Sequence, residues 1–550
     1  MTSSGRLARA SIWLVLALLS ACTTSGEREQ QRPAFQVLEA GIDEIQAAYA
    51  SGTLSAVQLV QAYLDRIAAY DKSGPAITSI IAINAEALAQ AAALDEERKR
   101  NGARGPLHGI PVLLKDNINT FDLPTTNGSA VLRGIVPPSD AALTQELRKA
   151  GAIVLGKAAM GEFAATSYNS VVGQTINPYN LKREAGGSSS GPGAAIAANF
   201  AVLAVGTDTS TSVRQPAAYN GIVGLRPTTG LVSRRGIAPK GLDFDTAGPM
   251  ARRVKDVASM LSVMAVADPD DAASVRVWSK VADRYDVRNG HIDYTRFLNA
   301  AALKGARIGV VRDFFGGDPE IDALAGAALE QLRALGATLV DVHLGEEFKA
   351  RYLGKGLREI RRLANYRFRE DWEAYVATLP GAPKTVAEFV DAYKNVVNKS
   401  ALPGNEYTMG LLTTSLTTST GDPAYRRLIE QILPQATADT LALFERDDVD
   451  VLVYPYETHF AGVISNPVSK LEDPSYVASA APDPATLAGY NSVGFPSIVV
   501  PMGLGSQGLP MALTFFGKPY DDGPLLGYAY AYEQASRKRV PPPLLPALDE

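Results

Sequence analysis

The 550-residue chain has one cysteine, Cys22, and only four histidines, His108, His291, His343 and His459. With its sole thiol this close to the N-terminus, the body of the protein can form neither disulfides nor cysteine-based metal sites. No H-E-x-x-H pattern pairs two histidines, so a metal-dependent hydrolase has no ligand set, and no metal or cofactor is expected. Basic excess is lacking too: Lys and Arg number 53 against 58 Asp and Glu, a net charge of −5, which is no nucleic-acid footprint. The apolar stretch Ile12–Leu19 is too short to span a membrane as a stable helix. After residue 38 no Pro/Gly/Ser linker, charge block or internal repeat cuts the chain, although length alone would allow roughly three or four domains of about 150 residues. At 46% hydrophobic and 20% charged residues, 38–550 reads as a single domain with one large core.

What is present is concentrated at 186–216. Gly186-Gly187-Ser188-Ser189-Ser190-Gly191 is joined to Gly206-Thr207-Asp208-Thr209-Ser210-Thr211-Ser212-Val213-Arg214-Gln215-Pro216 by the small, apolar stretch Ala194–Val205. That stretch predicts a buried helix running into a short buried strand, with hydroxyl-rich loops at both ends. Such an element can bring distant serines together. Gly187-Ser188-Ser189-Ser190-Gly191 also fits G-x-S-x-G, which would make Ser189 the nucleophile of a strand–turn–helix elbow. The approach Asn180–Ala185 is polar and charged, with no strand pattern, and no histidine stands in a distinctive setting. The elbow is therefore disfavoured and a base must come from elsewhere. Upstream, Gly105–Asn117 holds an apolar strand ending in Lys115. Burial there lowers the amine's pKa and lets it accept a proton, unless it snorkels to solvent or pairs with Asp116.

Lys115 in Leu-Leu-Lys-Asp-Asn, the Gly-Gly-Ser-Ser-Ser-Gly run and Gly-Thr-Asp-x-x-x-Ser-x-Arg-x-Pro together resemble the amidase signature family. The resemblance runs from about residue 38 to the C-terminus, with a signature core at about 104–250 and a variable, substrate-shaping region at about 270–480. It is similar most of all to bacterial peptide amidases, in Gly105–Asn119, Gly221–Met250 and Ala529–Gln534. It implies an α/β fold, an α/β/α sandwich around a large mixed β-sheet. It further implies Ser212 as nucleophile, Ser188 after a cis peptide bond, and Lys115 as base. The backbone N–H groups of Thr209, Ser210, Thr211 and Ser212 would form the oxyanion hole, supported by Ser189, Asp208 and Arg214. One departure stands out: relatives carry glycine just before the nucleophile, where this chain has Ser210-Thr211. A β-branched Thr211 tolerates unusual φ poorly, so either the loop keeps ordinary dihedrals or the hole is altered.

At the N-terminus, Arg6 and Arg9 precede the apolar stretch, and Leu19-Ser20-Ala21-Cys22 resembles a bacterial lipobox. The expectation is a signal peptide over 1–21, lipidation of Cys22 and a flexible tether over 22–37. Thr23 rather than Asp favours the outer membrane, so the protein is expected in the cell envelope, lipid-anchored on the periplasmic face.

Ser55-Ala56-Val57-Gln58 is a capping box opening a helix to about Asp71, and Asn84 reads as the cap of a second helix to about Arg100. A helix over Ala141–Ala150 and a strand over Ala152–Gly156 follow. Arg307–Val311, a helix over about 319–335 and Thr338–Val342 make a βαβ unit. Late strands are expected at Val449–Tyr454, Ser497–Val500 and Ala512–Phe516, and a polar loop over Thr413–Gly421. Gly489–Pro496 resembles a late family segment near the active site. The resemblance implies an amidohydrolase that takes a small-molecule or peptide amide, including C-terminal amides of peptides. Two other readings are a non-catalytic envelope lipoprotein on the same fold and an amidotransferase A-type subunit.

Overall fold

The short apolar runs of the sequence become the strands of one eleven-stranded mixed sheet. In chain order these are β1 (Ile80–Ile83), β2 (Pro111–Lys115), β3 (Ile153–Ala158), β4 (Leu203–Asp208), β5 (Val223–Arg226) and β6 (Thr246–Ala251). They continue as β7 (Arg307–Val311), β8 (Thr338–Val342), β9 (Val451–Pro455), β10 (Ser497–Leu504) and β11 (Pro510–Phe516). Their spatial order is β1-β3-β2-β4-β6-β5-β10-β11-β9-β7-β8. The computed structural model describes residues 35–397, 399–465 and 494–548. From Gln36 onward the chain is one compact unit. Cys22, the expected signal segment, the tether up to residue 34 and 489–493 lie outside the described residues. Among the described residues, no helix is long and apolar enough to cross a membrane.

β2 is parallel to both β3 and β4, and every residue of these three strands is buried. Strands covered on both faces need continuous apolar runs rather than alternation, which is how Val112-Leu113-Leu114 and Leu203-Ala204-Val205 read. The middle of the sheet, β4-β6-β5-β10-β11-β9, is antiparallel throughout. The far edge, β9-β7-β8, is parallel again and forms the expected βαβ unit around the helix Pro319–Ala334.

The capping box forms as expected. Ser55 accepts from the Gln58 N–H at 3.1 Å and Gln58 accepts from the Ser55 N–H at 2.8 Å. Asn84 does not cap the next helix, which runs Ala87–Asn101 from Glu86. Its amide donates to the Val154 carbonyl while its oxygen holds the Glu86 N–H, so it ties the turn to β3 instead. Residues 346–446 form a helical insert that includes Gly354–Ala364, Phe368–Ala377, Val386–Val396 and Glu406–Ser415. The last of these takes the first three residues of the loop expected over Thr413–Gly421. The Thr413 hydroxyl bonds back to the Met409 carbonyl at 2.8 Å, so it is satisfied inside the helix. Phe368, Trp372 and Phe389 pack around Phe163 of the segment after β3, with ring centroids 4.8–6.1 Å from it. That aromatic cluster seats the insert on the sheet.

Candidate active site

Lys115 ends β2, and the pair Thr207-Asp208 ends the neighbouring parallel strand β4. Two parallel strands thus deliver an amine and a hydroxyl-rich loop to the same edge of the sheet. The helix Ser190–Ala197 is buried along its whole length and made of small residues. A Cβ on Gly191 would lie 2.3 Å from the Ala159 carbonyl oxygen, so glycine is what lets this helix press against the end of β3. Its N-terminal approach carries Ser188 and Ser189, and the Gly187–Ser188 peptide bond is cis. The Ser188 carbonyl accepts from the Gly161 N–H at 3.0 Å. The Gly187 N–H donates to the Gln215 side chain at 3.1 Å.

Lys115 is fully buried, and its Nζ has three neighbours: Ser188 Oγ at 2.8 Å, Thr207 Oγ1 at 2.8 Å and the Thr207 carbonyl at 3.1 Å. A neutral amine has two N–H groups and one lone pair. The carbonyl can only accept, so it takes one N–H. Thr207 Oγ1, which also receives the Asn117 amide at 3.0 Å, has a second lone pair with which to accept the other. The lone pair is then left for the Ser188 hydroxyl. The electrostatics agree, since burial lowers the Lys115 pKa to about 7 against the opposing pull of Asp208 and Asp245. Lys115 neither snorkels nor pairs with Asp116. The Asp116 carboxylate lies 3.7 Å from the ammonium of Lys157 on β3 and accepts from the Thr126 and Gly128 N–H groups.

Ser212 sits where the loop after β4 meets the helix Arg214–Tyr219. Its carbonyl accepts from the Ser189 N–H at 3.2 Å, which draws the two serine-bearing loops together. Its hydroxyl makes no hydrogen bond among the described residues, and the residue as a whole is 7% exposed. None of Thr209, Ser210, Thr211 or Ser212 has a positive φ. The loop therefore keeps ordinary dihedrals, and the β-branched Thr211 fits it without a strained φ. The four N–H groups of this stretch donate to no acceptor among the described residues. The Thr209 hydroxyl donates to Asp245 at 2.6 Å, and the Ser210 carbonyl accepts from Arg214.

Asp208 braces the loop from behind. Its carboxylate accepts from Arg214 Nε at 3.1 Å, Arg226 Nη1 at 2.9 Å and the Val213 N–H at 3.0 Å, with all three side chains shut off from solvent. Burial pushes this carboxyl up, but the two guanidiniums outweigh it and hold Asp208 well below the usual range. Ser189 is occupied differently. Its Oγ donates to the Thr207 carbonyl at 3.2 Å and accepts the Thr207 N–H at 3.3 Å. Asn180–Glu184, expected to have no strand character, forms a short ribbon with Ile176–Asn177 outside the main sheet. Leu181 on that ribbon is exposed, so this is not the buried strand that a nucleophile elbow needs.

The structure thus brings Lys115, Ser188, Ser189, Asp208, Arg214, Ser212 and the Thr209–Thr211 backbone to one place. Thr207, Asn117, Arg226 and Asp245, which hold this arrangement, had no role assigned to them from sequence. Thr207 lay in the Gly-Thr-Asp motif and Asn117 in Leu-Leu-Lys-Asp-Asn. Asp245 and Arg226 lay in the Gly221–Met250 stretch without any local sign of their partners.

The family model Amidase matches residues 58–526. The glutamyl-tRNA(Gln) amidotransferase A-type subunit of Rippkaea orientalis is 34% identical over 513 residues, covering 92% of this chain and 99% of its own. The crystal structure of native peptide amidase from Stenotrophomonas maltophilia superposes with a TM-score of 0.80 at 36% identity, covering 92% of this chain and 98% of that one. The peptide amidase PAM in complex with the competitive inhibitor chymostatin gives a TM-score of 0.78 at 35% identity, covering 92% and 100%.

Proposed function

Because the chain belongs to the amidase signature family, whose members cleave amides, we propose that it hydrolyses linear carboxamides through Ser212, Ser188 and Lys115. The lone pair of neutral Lys115 takes the Ser188 proton, and Ser188 takes the Ser212 proton as Ser212 Oγ attacks the amide carbon. The N–H groups of Thr209, Ser210, Thr211 and Ser212 receive the developing oxyanion. As the C–N bond breaks, the same relay returns a proton to the departing amine, leaving an acyl ester on Ser212. Water, deprotonated through Ser188 and Lys115, then releases the acid.

The observation that supports this reading is the set of contacts at the buried Lys115 Nζ, with Ser188 Oγ at 2.8 Å and two acceptors on Thr207 for its N–H groups. Peptide amides are the favoured substrates, a choice supported by the likeness to peptide amidase. The amidotransferase relatives favour a second reading, a protein that works on amides together with a protein partner. The lipobox-like Leu19-Ser20-Ala21-Cys22 speaks against it and supports lipid anchoring at Cys22 in the cell envelope. A serine-reactive phosphonate together with release assays on amino-acid, peptide, fatty and aryl amides tests the proposal. The purified chain alone should release amine or ammonia and be labelled at Ser212. Turnover only in the presence of a partner protein would favour the second reading.

A further inference from the structure

Beside the reacting groups lies a pocket whose wall includes Asn117, Thr207, Thr209, Ala238 and Lys240. Lys240 is 8% exposed, and its Nζ has no hydrogen-bond acceptor among the described residues. The acidic groups nearby are all committed elsewhere. Asp245 takes the Thr209 hydroxyl at 2.6 Å and the N–H groups of Lys240 and Gly241 at 2.8 and 2.9 Å. Asp243 takes Arg367 and the Tyr425 hydroxyl. Asp208 is held by two arginines. What the Lys240 ammonium does face is the ring of Tyr407, 4.9 Å away.

The Lys240 charge draws the Tyr407 phenol below its usual range, as an ammonium held against that ring does. Buried donors on cationic groups are costly to leave unpaired, and a carboxylate satisfies several at once through charge-assisted hydrogen bonds.

We propose that Lys240 forms an anion subsite in the pocket it lines with Thr207 and Thr209, and that the preferred substrates are linear amides carrying a carboxylate. The inference rests on the amidohydrolase reading and names the substrate class of that same site. Its occupant is the substrate itself, so the anion and the scissile amide belong to one molecule.

The test uses amides in matched acidic and neutral pairs: succinamate, glutaramate and adipamate against butyramide, pentanamide and hexanamide, and peptide amides with Glu or Leu in the last two positions. Wild type, Lys240→Met and Lys240→Arg are compared by the acidic-to-neutral ratio of kcat/KM. For at least one pair, wild type should favour the acidic member by about 10–100-fold, the value of one or two hydrogen bonds to a charged group. Lys240→Met should bring that ratio close to one, and Lys240→Arg should keep most of it. A wild-type ratio near one for every pair overturns the subsite. So does a ratio that Lys240→Met leaves intact, which would make Lys240 a cation packed on Tyr407 and nothing more. Absence of turnover on both members of every pair would instead count against the hydrolase reading. Calorimetric binding of glutarate to Ser212→Ala protein then decides the subsite, which stands only if adding Lys240→Met weakens that binding about tenfold.

Discussion

Replacing Lys115 tests the base directly. An unshifted lysine, with a pKa near 10.5, would be neutral in only about 3 of 10,000 molecules at pH 7, whereas one at about 7 is neutral in about half of them. Burial of this one side chain therefore multiplies the available base roughly a thousandfold. In wild type, kcat/KM should rise about tenfold per pH unit below neutrality and flatten above about pH 7. Lys115→Ala should cost on the order of 10²–10⁴ in turnover, and Lys115→Arg nearly as much, since a guanidinium stays protonated. Because a histidine titrates in the same window, His459→Gln serves as the control and should leave the limb where it is. Stability gives an independent sign. The folded pKa lies below the unfolded one, so between about pH 7 and 10.5 the unfolded chain holds the extra proton. Wild-type stability should thus climb with pH across that window relative to Lys115→Met, which lacks the titrating group. At neutral pH the stability still missing is on the order of a few kcal/mol, since each tenfold loss of proton affinity on folding costs about 1.4 kcal/mol. Near-normal turnover in Lys115→Arg, or a limb centred near pH 10, would refute the reasoning.

Other substitutions probe the parts around it. Ser212→Ala should abolish turnover and phosphonate labelling, while Ser189→Ala, which removes only the two contacts to Thr207, should reduce kcat by about tenfold or less, the value of one neutral hydrogen bond. Asp208→Asn strands two buried guanidiniums and should lower unfolding free energy by about 3–5 kcal/mol in urea titrations. Thr211→Gly should leave the rate no higher than wild type and lower stability by about 0.5–1 kcal/mol, because the loop needs no positive φ there. For Cys22→Ser, fractionation should find the protein released from membranes or unprocessed; membrane retention of a processed variant would remove the lipid anchor from the account.

Legibility in the sequence followed the range of each interaction. Val112–Leu114 and Leu203–Val205 were readable because strands covered on both faces need apolar runs, although the second strand runs on through Asp208 where a loop was expected, and Ser55–Gln58 because a capping box is a contact three residues long. Lys115, Ser188 and Ser212 were reached through motif resemblance, and their proximity is a property of the sheet order that no local pattern encodes. The misreadings share a cause. Asn84 and Thr413 spend their side chains on partners visible only in three dimensions, one on β3 and one on the preceding helical turn. Ser210-Thr211 posed a question of φ that composition leaves open, and the answer lay in the backbone of the loop. The surroundings of Lys240 were the least legible part. Lys240 and Tyr407 come from segments 167 residues apart, and nothing near either names the other.

The strand order also bears on how the protein is made. Lys115, Ser188, Ser212, Asp208 and Asp245 all emerge within the first half of the chain, yet β5, which follows Ser212 by eleven residues, finds its outer neighbour only in β10. Until Ser497–Leu504 leaves the ribosome, β5 is an open edge in the middle of what will become the sheet. The reactive hydroxyls are made long before β10, and the sheet between them and the far edge is closed only when that strand docks. A nascent chain is therefore vulnerable to pairing with other exposed strands until Ser497–Leu504 docks on β5.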